Sequence, residues 1–98
     1  MLRHIVMWKF RPGTEAERDL FLTGLQGLYG AILELKSCQV LRGMEGSDYD
    51  AVLISEFADR AALETYKNDP RHKAVSALCK SIRTDRAAVD CLLPDPEE

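Results

Sequence analysis

The chain has two histidines, His4 and His72, near opposite ends of its length. His72 lies in "YKNDPRHKAV", one residue past an Asp-Pro pair. Asp69 is a good helix N-cap, and Pro70 suits the first helical position, where a missing N–H costs nothing. The ring therefore falls in the first turn of a helix. It is three residues before Val75, on the apolar stripe that continues through Cys79 and Ile82. The helix dipole there disfavours a further positive charge, so the imidazole is expected to be neutral. With an ordinary pKa of ~6.5 it can accept a proton near neutrality. Asp90 stands inside the apolar run "RAAVDCLL", and a carboxylate in such a run needs a partner. His72, Arg83 or Arg86 could serve, either in a structural ion pair or in orienting a catalytic ring. His72 has a structural alternative too: holding the helix start through a nearby carboxylate.

The elements that would carry these residues follow from periodicity. Residues 2–10 alternate, with Leu2, His4, Val6, Trp8 and Phe10 on one side and Arg3, Ile5, Met7 and Lys9 on the other, as in a strand. Thr14 and Glu17 have capping-box spacing. They open a helix carrying Phe21, Leu25, Leu28 and Ile32, with Leu20 and Tyr29 alongside. Gly24, Gly27 and Gly30 interrupt it, each costing about 1 kcal/mol against alanine. Cys38 to Arg42 and Ala51 to Phe57 read as strands around the Gly-containing "RGMEGSDYD". Asp59 caps a short helix with Leu63 and Tyr66. The Asp69–Pro70 helix runs to about Ile82, and residues 86–93 form the last strand, with Arg86, Ala88 and Asp90 on the helix side. The order β-α-β-β-α-β, its second helical region broken in two, is the ferredoxin-like pattern of the α+β class. It places helices on one face of a four-stranded antiparallel sheet.

Ninety-eight residues bound this to one domain, 1–93, with residues 94–98 expected to be a flexible acidic tail. A net charge of −3 with interspersed signs argues against nucleic acid. The N-terminus is too short and too charged for a signal peptide or a spanning helix, so no membrane partner is expected. Three widely spaced cysteines suggest reduced thiols in a cytoplasm and give no metal-site spacing.

If Val6, Trp8, Leu53 and Phe57 face the helices, the other sheet face carries Ile5, Met7, Val52, Ile54 and Val89. That surface is too apolar to leave in water. The economical solution is a homodimer in which two such sheets pack together, burying roughly 800 Å² per partner. A monomer covered by its own tail or a loop is the alternative.

"HIVMWKF", "SEFADRAALETY", "DPRHKAV" and "DRAAVD", in that order over residues 2 to about 92, resemble the stress-responsive A/B barrel (Dabb) family of dimeric α+β barrels. The resemblance implies a ferredoxin-like protomer and a sheet-to-sheet homodimer. Among olivetolic acid cyclase-type members, which are plant polyketide cyclases, the working residues correspond to His72, Tyr66, His4 and Asp90. Other pocket positions differ from those members: Asp69 and Ala51 stand where they have histidines, and Leu25 where they have a tyrosine. A pocket between helices and sheet is expected, walled by Val6, Trp8, Phe21, Leu25, Leu53 and Phe57. In it, a Tyr66 phenol could bond a carbonyl and stabilise a developing enolate. The expected ligand is a small carbonyl compound. The expected chemistry, where there is any, is acid–base work of cyclase, lyase or isomerase type, with no cofactor or metal. A non-catalytic stress-linked dimer and, on fold analogy alone, a cofactor-free oxygenase are the alternatives. Ligand binding calls for a cavity of roughly 300 Å³ or more with His72 and Asp90 at its wall.

Overall fold

The computed structural model describes residues 1–94; the expected tail falls almost wholly outside them. Four strands, β1 (Leu2–Phe10), β2 (Ser37–Arg42), β3 (Ala51–Phe57) and β4 (Arg83–Leu92), form one sheet in the order β2-β3-β1-β4. Every neighbouring pair is antiparallel. Three helices, α1 (Glu15–Gln26), α2 (Arg60–Asn68) and α3 (Pro70–Ile82), complete the ferredoxin-like α+β fold. No helix is long and apolar enough to cross a membrane.

Alternation along β1 sets the layering. Leu2, His4, Val6, Trp8 and Phe10 are buried, while Arg3, Ile5 and Met7 are only half-buried. β3 repeats the pattern, burying Ala51, Leu53, Ser55 and Phe57. Phe21, Leu22 and Leu25 of α1, Leu63 and Tyr66 of α2, and Cys79 and Ile82 of α3 close the same core. Trp8 and Phe10 meet Phe21 edge-on at 5.0 and 6.0 Å, an arrangement aromatic quadrupoles favour.

Three local expectations are corrected. The capping box does not form: Thr14 Oγ1 donates to the Arg11 carbonyl at 2.6 Å and makes no cap bond to the helix. The first helix stops at Gln26 instead of running to Ile32. Gly27 ends it, and the chain continues in tight turns through Gly30, whose φ of +86° favours a residue without Cβ. Leu28, Ile32 and Leu35 still reach the core from these turns, so helical spacing of apolar residues outlived the helix. Leu20 and Tyr29, placed alongside the stripe, are exposed. Finally, β4 begins at Arg83, not residue 86, because α3 passes directly into the strand.

The second helical region breaks where the sequence places the break. Asp69 ends α2 and caps α3, accepting from the Arg71 amide at 2.8 Å, and Pro70 starts the new helix. Arg71 also binds the Asp69 carboxylate through its guanidinium, and this bond holds the Asp69 pKa down at about 2.

Strand register defines the uncovered face. Gln39, Ile54, Ile5 and Val89 lie in one cross-strand row, and Leu41, Val52, Met7 and Ala87 in the next. Val89 and Leu41 are 53% and 46% exposed in the single chain. A polar row borders them, in which Glu56 accepts from Arg3 at 2.7 Å and from Ser37 at 3.2 Å. Leu41 extends this apolar surface beyond the five residues read from the sequence.

Candidate functional site

The covered face brings the two histidines together. His4, near the start of β1, lies directly opposite Asp90 of β4 in the strand register, so both side chains project toward the helices. Their contact is short: His4 Nδ1 lies 2.5 Å from Asp90 Oδ1. A carboxylate can only accept, so Nδ1 carries the proton and Nε2 keeps a free lone pair. Burial is the main influence on His4 and lowers its pKa. The Asp90 bond opposes that shift without cancelling it, while the charges of Lys67 and Arg86 add to it. For Asp90, burial alone would raise the pKa. Burial is the largest single influence, but the bond to His4 and the charges of His4, Lys67 and Arg60 together outweigh it, and the carboxyl sits below its usual range.

His72 reaches the same place from α3. Its Nδ1 is 3.2 Å from the Lys67 carbonyl at the end of α2, so here too Nδ1 donates and Nε2 is left basic. The broken helix is what makes this bond: Pro70 turns the chain so that the first turn of α3 comes back over the last turn of α2. Burial lowers the His72 pKa, and the nearby positive charges of His4 and Lys67 push the same way. Tyr66 of α2 stacks obliquely on the ring at 4.5 Å and on Phe57 at 5.0 Å.

Two joined cavities open at this pair. An inner pit of about 60 Å³ is lined by Val6, Trp8, Phe21, Leu25, Leu53, Cys79 and Arg83, with His4, His72, Ser76 and Arg86 at its rim. Those four rim residues also line an outer cleft of about 510 Å³, completed by Lys67, Lys73, Ala77 and Lys80. The expected volume is thus reached only with the open mouth, and the enclosed part falls short of it. A groove of about 440 Å³ between α1 and β2 is lined by no histidine or carboxylate.

Five of the six wall residues named from the sequence line the pit; Phe57 lies beneath it, fully buried. Asp90 does not line the cleft but stands behind His4, and it pairs with His4 rather than with His72. Arg83 and Arg86, offered as alternative partners, are not its ion-pair partners; Arg60 is, at 4.0 Å. Strand register decided this, and one sequence without pairing information does not contain it. Tyr66 lines neither cavity. Its ring is wholly buried, and its hydroxyl has no hydrogen-bond partner among the described residues. Burial drives its phenol pKa strongly upward. Sequence reading missed Ser76, Lys73 and Lys80. Their helical spacing with His72 was the available signal. Among the described residues no three His, Cys, Asp or Glu side chains converge as metal ligands.

A ferredoxin-like sheet with helices on one face and an apolar face left bare is the protomer fold of the dimeric α+β barrel class. The family profile of the stress responsive A/B barrel domain matches residues 2–92, and the chain belongs to that family. No curated protein matches the chain. A dimeric ferredoxin-like protein of unknown function from Thermobifida fusca is 25% identical, with a TM-score of 0.83 over 94% of this chain and 90% of its own. A Dabb family protein from Mesorhizobium loti is 25% identical, with a TM-score of 0.79 over 96% and 97%. The hydroxynitrile lyase of Passiflora edulis shares the fold at 12% identity, with a TM-score of 0.83 over 96% and 94%.

Proposed function

We propose that this chain acts as a homodimer, each protomer binding a small carbonyl compound in its cleft and moving a proton next to the carbonyl without a cofactor. The observation that carries the reading is the pair of imidazoles. Both are fixed at Nδ1 by an acceptor, which leaves Nε2 as the basic nitrogen, and both rings line one cleft.

The two rings are not equivalent. His4 is backed by a carboxylate, which orients the ring and stabilises the imidazolium that forms when Nε2 takes a proton. His72 is backed by a neutral carbonyl and lies beside Lys67, so its imidazolium is less favoured. His4 is therefore the base that removes the proton α to the carbonyl, and afterwards the acid that returns it. His72 accepts a hydrogen bond from a substrate hydroxyl and fixes the approach. The enolate oxygen is stabilised by Arg86 at the rim, in a site partly shielded from water. Tyr66 is a positioning residue that holds the His72 ring from behind. Such a set suits aldol-type closure, its reverse, or isomerisation.

The test is exchange of α-protons for solvent deuterium, followed by proton NMR over a panel of small ketones and oxo acids. Wild type should accelerate exchange in at least one compound. His4→Gln should lose about 10²–10⁴-fold, the usual contribution of a positioned base. His72→Gln, a change nearer the surface, should raise KM more than it lowers kcat. Wild type that exchanges nothing in the panel while binding its members would end the catalytic reading.

A further inference from the structure

The imidazole pair does not account for the cations around it. Lys67, Lys73, Lys80 and Arg86 all line the outer cleft, and Arg83 lines the pit. The chain as a whole carries a net charge of −3, so this concentration of positive charge runs against its average. No carboxylate lines either cavity. We infer that the natural ligand of the cleft is a small carboxylate, its anionic end held at the mouth by Lys73, Lys80 and Arg86 and its short apolar end in the pit. The inference rests on the cleft being the binding site proposed above.

Helical spacing aims these groups. Lys73, Ser76, Ala77 and Lys80 stand at i, i+3, i+4 and i+7 of α3, on the one face that borders the cleft. Arg86 pairs opposite Trp8 in the sheet, so it approaches from the other wall, on the same side as His4. Surface cations are ordinarily answered by neighbouring acids. Among the described residues, the side-chain cations of Lys73, Lys80, Arg83 and Arg86 have no carboxylate oxygen within 4.0 Å. Acids beside the cleft-lining residues are already paired: Asp90 with His4 and Arg60, Asp69 with Arg71, and Glu64 with Lys67 at 4.0 Å. A concave surface lined by one sign of charge concentrates counter-ions of the other. The fields of Lys67 and Arg86 already reach His4, so the cations and the imidazoles share one electrostatic space.

Two features favour a carboxylate over a phosphate ester. Phosphates are typically cradled by free amides at a helix N-terminus. At the start of α3 the Arg71 amide is already taken by Asp69, whose own carboxylate would repel a dianion. The pit is apolar and takes only a few heavy atoms, which suits a short alkyl or oxo-alkyl end.

The test uses butyrate, butyramide and butyl phosphate as probes, titrated against the full chain and followed by ¹H–¹⁵N NMR. Butyrate should bind about tenfold or more tightly than butyramide. Its shifts should centre on His72, Ser76 and Arg86, and added salt should weaken butyrate but not butyramide. The Lys73→Gln/Lys80→Gln variant alters two exposed side chains, so the fold should survive; it should lose about tenfold for butyrate and nothing for butyramide. Equal binding of butyramide, unchanged butyrate binding by the variant, or butyl phosphate binding about tenfold more tightly than butyrate would each overturn the inference. Binding is scored without turnover. Butyrate capture with no α-proton exchange would sink the acid–base reading and leave this one standing. Exchange in neutral ketones without butyrate capture would do the reverse.

Discussion

The two faces of the sheet invert the usual expectation. The face under the helices should be wholly apolar, yet it buries His4 and Ser55 and holds Asp90. The face without helices should be polar, yet its central rows are Ile5, Ile54 and Val89, then Met7, Val52 and Leu41. Each inversion has a physical cost in an isolated protomer: desolvated polar groups on one side, apolar surface in water on the other. A second copy packed there would relieve the cost on the bare face. On the covered face the cost is offset locally, with Asp90 answering His4 and the His4 carbonyl accepting from Ser55 at 3.2 Å. Polar groups kept in a core at such a cost mark a site, and apolar groups kept on a surface mark an interface.

The largest expected effect lies on the bare face. Ile5 and Ile54 are directly opposed in the register, so Ile5→Asp with Ile54→Asp places two like charges side by side at the proposed interface. Burying them unpaired against a partner costs several kcal/mol, of the order of 3–5. Sedimentation velocity at micromolar concentration should find monomer or unfolded chain where wild type is dimeric. A wild-type chain that is itself monomeric and stable at that concentration would remove the interface and with it half of the contrast.

On the covered face the effects are smaller because the polar groups have local partners. His4→Ala leaves the Asp90 carboxylate facing an apolar wall, with only Arg60 at 4.0 Å in compensation. Asp90 is partly open to solvent, so the loss should be about 1–3 kcal/mol in denaturant unfolding. Asp90→Asn should cost less, because an amide oxygen can still accept from Nδ1. Equal losses for both would mean that the pair needs the charge of Asp90, not merely its capacity to accept.

How far these faces were legible depends on the kind of information each needed. Alternation in "LRHIVMWKF" and "AVLISEF" assigns every side chain to a face, because a strand has a period of two and no other freedom. Asp69–Pro70 announces its helix break through chemistry confined to two residues. The partner of Asp90 was not legible: three side chains could reach it on sequence grounds, and the one that does stands 86 residues away. Leu28 and Ile32 misled for a related reason, since burial at helical spacing was satisfied by turns once Gly27 had ended the helix. The basic rim was present as Lys73 and Lys80 but had no meaning until Arg86 came in from the opposite wall.

Acid should separate the faces next. Both histidines have folded-state pKa values below the ordinary 6.5. Between those lowered values and 6.5 the unfolded chain therefore binds more protons than the native one, and stability rises with pH across that window. Unfolding free energy should be flat above about pH 7 and fall as pH drops through about 6.5, with the carboxylate contribution of Asp90 lost only at much lower pH. His4→Gln/His72→Gln should flatten the first fall and, because His4 helps to hold the Asp90 pKa down, shrink the second. If catalysis uses His4 as base, activity should follow the same limb, with its midpoint below 6.5. A fall in stability unchanged in the double variant would move its origin away from the cleft.

The smallest effect distinguishes support from chemistry within the covered face itself. Tyr66 is the bulkiest of the fully buried side chains, and its ring holds His72 on one side and Phe57 on the other. Its hydroxyl has no partner among the described residues, and an unmatched buried hydroxyl costs about 1–3 kcal/mol in desolvation. Tyr66→Phe keeps the ring and removes that cost, so stability should stay within about 1 kcal/mol of wild type or rise. Deuterium exchange by the variant should match wild type if the ring alone is needed. A drop of about 10²-fold with stability intact would instead assign the hydroxyl to the enolate. That result would require the phenol to turn toward the cleft when a ligand binds, and the support role argued for Tyr66 would give way to a catalytic one.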